Sequence, residues 1–276
     1  MERCQVNKKE IFLVLKRNRN PSKYNYEEVF WRFDRYTKSI MEKVPKRKKK
    51  WLTSEIYETL ANTAIYVMDI KEMRGETKND TKIVKKQCAL MALNELHKMQ
   101  KPMIAYWNIM CTPSEKIAAW RNILNELVDE LKIVIDAEYY EFKFIVYDRS
   151  SISKVKFLEN MCEFHRTSYS KMISAKGGYF NSASQILKKC VDDALYHIFL
   201  ANQIIPSTKD EYIERKNHFS YALSRVDECN RAIYQLYKTE HYSNNACDKW
   251  FMQLKMQTDL LNGIIKSDRK RYGKLT

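Results

Sequence analysis

Glycine and proline are nearly missing from this chain, at five of each in 276 residues, far below the usual roughly 7% and 5%. The scarcity excludes a turn-rich sandwich, barrel or propeller and favours long helices. Long hydrophobic runs are also missing. The longest near the N-terminus is Ile11 to Leu15, against the ~18 residues that span a bilayer, so no membrane anchor or signal-peptide core is expected. No two cysteines form a CxxC pair. The seven, Cys4, Cys88, Cys111, Cys162, Cys190, Cys229 and Cys247, are scattered and odd in number, which fits reduced thiols in a cytoplasmic protein.

Catalytic signatures are lacking too. The phosphate-binding loop, the dinucleotide glycine fingerprint, the zinc-protease helix and the nucleophile elbow do not occur. The five histidines have no metal-ligand spacing with one another or with cysteine. Arg215 precedes His218 by three residues, short of the spacing used by helical-bundle ribonucleases. The neighbours Asp192 and Asp193 point to different helix faces and do not form an acid/base pair by spacing. The expectation is a non-enzyme with no cofactor and no metal.

What the chain has in excess is positive charge. Lys and Arg number 49 against 34 Asp and Glu, a net +15, for which a polyanion, RNA or DNA, is the natural partner. Residues 1–140 carry 27 basic and 19 acidic side chains and 141–276 carry 22 and 15, so the charge belongs to the folded body and not to a tail.

The sequence also resembles itself at an offset of 130 residues, without a gap from Ser54/Ser184 to Ile135/Ile265. Ile56 meets Ile186, Tyr66 meets Tyr196, Ala92-Leu93 meets Ala222-Leu223, Trp120 meets Trp250 and Leu131 meets Leu261. This predicts two tandem domains, 1–138 and 139–276. Each opens with a β-branched and aromatic stretch, 10–17 and 141–148, read as a short strand with helix as the alternative. Apolar residues at three- and four-residue steps then predict four helices per unit: about 26–44, 53–73, 79–108 and 113–136, then 154–173, 183–201, 210–236 and 245–267. Pro45 ends the first of these and Thr53 or Ser54 caps the second. The fold class is mainly α, two tandem up-and-down four-helix bundles.

Basic residues cluster within this frame. Lys43, Lys46, Arg47, Lys48, Lys49 and Lys50 crowd the break between the first two helices, with Trp51 behind them as either a core residue or a stacking surface. Lys78, Lys82, Lys85 and Lys86 share one helix face, and Arg215-Lys216 stand where Lys85-Lys86 do in the first unit. Two function classes follow from the residues. One is a nucleic-acid-binding protein; the other is an adaptor bundle whose basic face meets an acidic protein.

The run Glu42-Lys-Val-Pro-Lys-Arg-Lys-Lys-Lys-Trp-Leu-Thr-Ser-Glu-Ile56, with Lys176-Gly-Gly-Tyr179, Ser184-Gln-Ile186 and Leu200-Ala-Asn202 in the second unit, resembles a particular four-helix bundle family. Its members are the accessory variability determinant proteins of diversity-generating retroelements and the proteins encoded in intervening sequences of bacterial large-subunit ribosomal RNA genes. The resemblance covers Tyr26 to Asp136 and Lys154 to Ser267. It implies a non-catalytic, self-associating bundle that assists a reverse transcriptase by contacting the enzyme and its RNA. The contacts it implies are Lys46 to Lys50, Arg74, Lys85 and Lys86, with Lys176, Arg215 and Lys216 in the second unit. This chain departs from the family in fusing two bundles and in lacking the proline in its second unit.

Overall fold

A computed structural model describes residues 25–73, 75–136, 142, 144–145, 152, 155–175, 182–239 and 242–275. Among them are eight α-helices and no strand: α1 (Tyr26–Met41), α2 (Lys46–Glu72), α3 (Lys78–Met110), α4 (Ser114–Ile135), α5 (Lys156–Ser174), α6 (Ser182–Gln203), α7 (Lys209–Lys238) and α8 (Asn244–Tyr272). The fold is mainly α, as the apolar periodicity predicts. No helix among the described residues is long and apolar enough to cross a membrane.

Three expectations need correction. Helix α2 starts at Lys46 and not at Thr53, so Lys46 to Lys50 lie in its opening turns and not in a loop. Lysine and arginine are good helix formers, and the Pro45 carbonyl accepts the Lys48 N–H at 2.8 Å to start the helix. Second, Phe142, Phe144 and Ile145, inside the strand-like segment 141–148, are not in a strand. The Ile145 N–H donates instead to the Gln100 side-chain oxygen at 2.8 Å, which satisfies it without a ladder. The segment 10–17 lies outside the described residues. Third, α1 stops at Met41, one turn short of its predicted end.

The chain divides into two compact units. The first takes the described parts of Met1–Ile40, Leu60–Leu96 and Glu115–Phe142, and the second those of Met41–Thr59, His97–Ser114 and Lys143–Thr276. This partition differs from a cut at residue 138: the opening turns of α2 and the last turns of α3 belong to the second unit. Trp51 and Trp107 explain their membership, since each is buried edge-on against a ring of that unit, Tyr169 and Phe199 respectively.

In the first unit, α1, α4 and the remaining parts of α2 and α3 bury Phe30, Phe33, Ile70, Leu93 and Trp120. The Trp120 indole N–H donates to Thr37 Oγ1 at 2.8 Å, and that hydroxyl donates to the Phe33 carbonyl. At the start of α3, Thr77 and Asp80 form a reciprocal cap. Gly75 is required there, because a Cβ would stand 2.4 Å from Asp80 Cβ.

In the second unit, α6 packs on α5 and α7, and α8 on α5 and α7, closing a four-helix ring. Trp250 repeats the bond of Trp120, its indole N–H donating to Ser168 Oγ at 2.9 Å. Thr208 and Glu211 cap α7 with a complete capping box.

Candidate nucleic-acid interface

The basic run is held on the outside of α2. Trp51, Leu52 and Ile56 are buried, and this fixes the helix rotation so that Lys46, Arg47, Lys49 and Lys50 are exposed and Lys48 half-buried. Trp51 is only 4% exposed; it is a core residue and offers no stacking surface. Lys43 is exposed in the preceding turn. The first turn of α2 contains no acidic residue, and among the described residues no carboxylate pairs with Lys46, Arg47, Lys48 or Lys49. Cations also oppose the positive end of the helix dipole. The helix start therefore carries a dense charge that these four residues find no carboxylate to neutralise.

The other predicted residues fare differently. Lys78 is exposed at the start of α3, Lys85 is half-buried, and Lys82 and Lys86 share Asp136 at 3.8 and 3.6 Å. Arg215 is turned inward. Its guanidinium holds Asp268 at 2.6 Å, donates to the Ala201 and Ile204 carbonyls at 2.7 and 2.8 Å, and lies over the Phe219 ring. It ties α7 to α8 and to the end of α6, leaving Lys216 as the exposed member of the pair. Arg74 and Lys176 lie outside the described residues.

Sequence reasoning passed over a buried ionic network in the second unit. Lys188 and Asp192, one turn apart on α6, are joined at 2.9 Å. Asp192 also accepts from His165 Nε2 at 2.8 Å and from the Tyr169 hydroxyl at 2.9 Å. Asn108 fixes the histidine tautomer: its Nδ2 donates to the Cys162 carbonyl and to His165 Nδ1, while its Oδ1 accepts from Arg166. Nδ1 is thus an acceptor, and the ring proton sits on Nε2, facing Asp192.

Burial alone would raise the Asp192 carboxyl, but Lys188 and His165 hold it below the usual carboxylate range. Burial likewise works against the Lys188 ammonium, yet Asp192, Tyr169 and Glu55 raise it well above the ordinary lysine value. Asp193 points elsewhere, to Lys101 at 3.0 Å and Arg225 at 3.6 Å. Lys188, Asp192, His165, Tyr169 and Asn108 each find a hydrogen-bond partner inside the protein, which fixes the packing of α5 on α6. Among the described residues no three His, Cys, Asp or Glu side chains gather as metal ligands.

A second pair joins α6 to α7, with His197 Nδ1 and His218 Nδ1 2.9 Å apart. Burial, reinforced by His218, Arg225 and Lys101, pushes His197 down to about 4 from 6.5. Between these values the unfolded chain binds a proton that the folded chain refuses, so this group lowers stability as pH falls from 6.5 towards 4. The expected result is that His197→Phe loses less stability than wild type between about pH 7 and pH 4.5 in urea unfolding; equal losses would remove His197 as the cause.

Compared with models of protein families, with curated proteins and with solved structures, the chain matches none.

Proposed function

We propose that this chain is a non-catalytic accessory protein that binds RNA and assists a reverse transcriptase in the cytoplasm. The observation that carries the RNA part is the unneutralised charge at the start of α2. The exposed cations Lys46, Arg47 and Lys49 stand where the helix dipole opposes them and where no acidic residue of the first turn relieves them. A phosphate backbone supplies the missing counter-charge. Lys78 and Lys216 add exposed charge elsewhere, and the net +15 supplies long-range attraction. The reverse-transcriptase part rests on the resemblance at Glu42 to Ile56, as does self-association.

The test is RNA affinity across a salt series for a variant in which Lys46, Arg47, Lys48, Lys49 and Lys50 become Glu, with thermal unfolding alongside. The fold is expected to survive, because four of the five side chains are exposed and the buried Trp51, Leu52 and Ile56 that anchor the helix are kept. The slope of log affinity against log salt should shrink by roughly 0.7 to 0.9 for each phosphate that the variant no longer neutralises. Unchanged affinity and slope in a folded variant would dismiss this surface and favour an adaptor that meets an acidic protein.

A further inference from the structure

Helix α8 carries two apolar stripes. Trp250, Leu254, Gln257 and Leu261 face the core and are buried. Met252, Met256, Leu260, Gly263 and Ser267 recur at three- and four-residue steps on another side, about 130° away at 100° per residue. That outer stripe lies open. Met252 is 72% and Met256 42% exposed, and with Leu260, Gly263 and Ile264 they frame a shallow depression bordered by Lys255 and Asp259.

Among the described residues nothing requires glycine at 263. A Cβ there would meet nothing within 4 Å, and glycine in a helix interior is less stable than alanine. In a sequence with five glycines, one placed here makes sense if a side chain from outside uses the room.

Charge decides whose side chain it is. Of the exposed basic residues of α8, Lys249, Lys270 and Arg271 lie within about 60° of the outer stripe at 100° per residue, against one exposed carboxylate in that range, Asp259, while Lys255 borders the depression. Asp268 is buried on Arg215. A second copy of this chain would bring the same excess to the same place, on top of its own +15. A negatively charged partner is attracted instead.

We infer that this face of α8 docks an acidic amphipathic helix of a partner protein, with a large apolar side chain of that helix seated over Gly263. Helix-on-helix recognition of this kind reads apolar anchors at i, i+3, i+4 and i+7. The flexible thioether side chains of Met252 and Met256 adapt to them. The inference is independent of the RNA reading, because it concerns other residues and a different chemistry.

The test uses the full chain and two fluorescein-labelled synthetic helical peptides of about five turns. Both carry leucine at the anchor spacing; one is flanked by Glu and the other by Lys. Fluorescence anisotropy should show saturable binding of the Glu peptide and none of the Lys peptide. Gly263→Leu should weaken the Glu peptide at least about tenfold while melting no lower than wild type, since leucine is the better helix former and the space is open. The double variant Met252→Ser, Met256→Ser should weaken it likewise. No saturable binding at millimolar peptide, equal affinity for both peptides, or unchanged affinity in the two folded variants would each overturn the inference. A dimer in sedimentation that Gly263→Leu abolishes would also overturn it, by making a second copy the occupant.

Discussion

Asp192→Ala is expected to destabilise the second unit by about 3 to 5 kcal/mol, the range for removing one partner of a buried ion pair. The carboxylate is 2% exposed and accepts from Lys188, His165 and Tyr169. Without it the ammonium keeps only Glu55, at the edge of the cluster, while an imidazole N–H and a phenol lose their acceptor inside the protein. Replacing both charges, as Lys188→Met with Asp192→Leu, should cost less than the single change, because no charge is then stranded and only the His165 N–H and the Tyr169 hydroxyl lack their acceptor.

The effect has a pH signature. The folded carboxyl is held below its ordinary 3.8, so its contribution is complete above that value and is lost as the solution is acidified past it. The gap between wild type and Asp192→Asn should therefore narrow in strong acid. Urea unfolding measures both results. A loss below about 1 kcal/mol for Asp192→Ala would mean that the network contributes little to stability.

The second large effect is expected at the paired tryptophans. Trp120→Ala and Trp250→Ala should each cost about 3 to 5 kcal/mol, the sum of lost apolar burial and the cavity left behind. Each indole is wholly buried and bonded to a hydroxyl of another helix of its own unit, Thr37 or Ser168. Phenylalanine keeps most of the volume but not the donor, so it should cost less, the hydrogen bond itself being worth about 1 kcal/mol. Denaturant unfolding of the four variants tests this, and stability within error of wild type at both positions would remove these residues from the cores.

The helices were legible because their apolar residues recur at about 3.6-residue spacing, and Trp120 and Trp250 stood out because they meet at the 130-residue offset. Helix starts were harder to read. Thr53 looks like a cap, yet its hydroxyl donates to the Lys49 carbonyl within a helix already under way, and Pro45 marks the start instead. The 141–148 segment has the composition of a strand, but the partner of Ile145 is a side chain distant in sequence, which no local pattern announces. The same limit hid the buried network. Lys188 and Asp192 are spaced like a solvent-exposed helical pair, and only His165 and Tyr169, from another helix, turn them into an interior one. Arg215 matched Lys85 by alignment, and the carboxylate that captures it lies 53 residues further along. Charge content, by contrast, survives any fold, which is why the α2 patch could be found before its geometry was known.

Because Lys46 to Lys50 are helical, their reach is small. Four residue steps at 1.5 Å give about 6 Å of axis, and Lys46, Arg47, Lys49 and Lys50 fan out over roughly 160° around it, with Lys48 turned towards the core side. A loop could stretch the same charges along a strand and follow it; under the proposed RNA-binding role, a helix end of this size would meet the backbone at a single crossing. By the spacing of a DNA duplex, one charge per about 1.7 Å, such a contact would cover roughly three or four phosphates. Affinity at this site should thus level off at short RNA length, and any longer footprint has to be assembled from several such contacts.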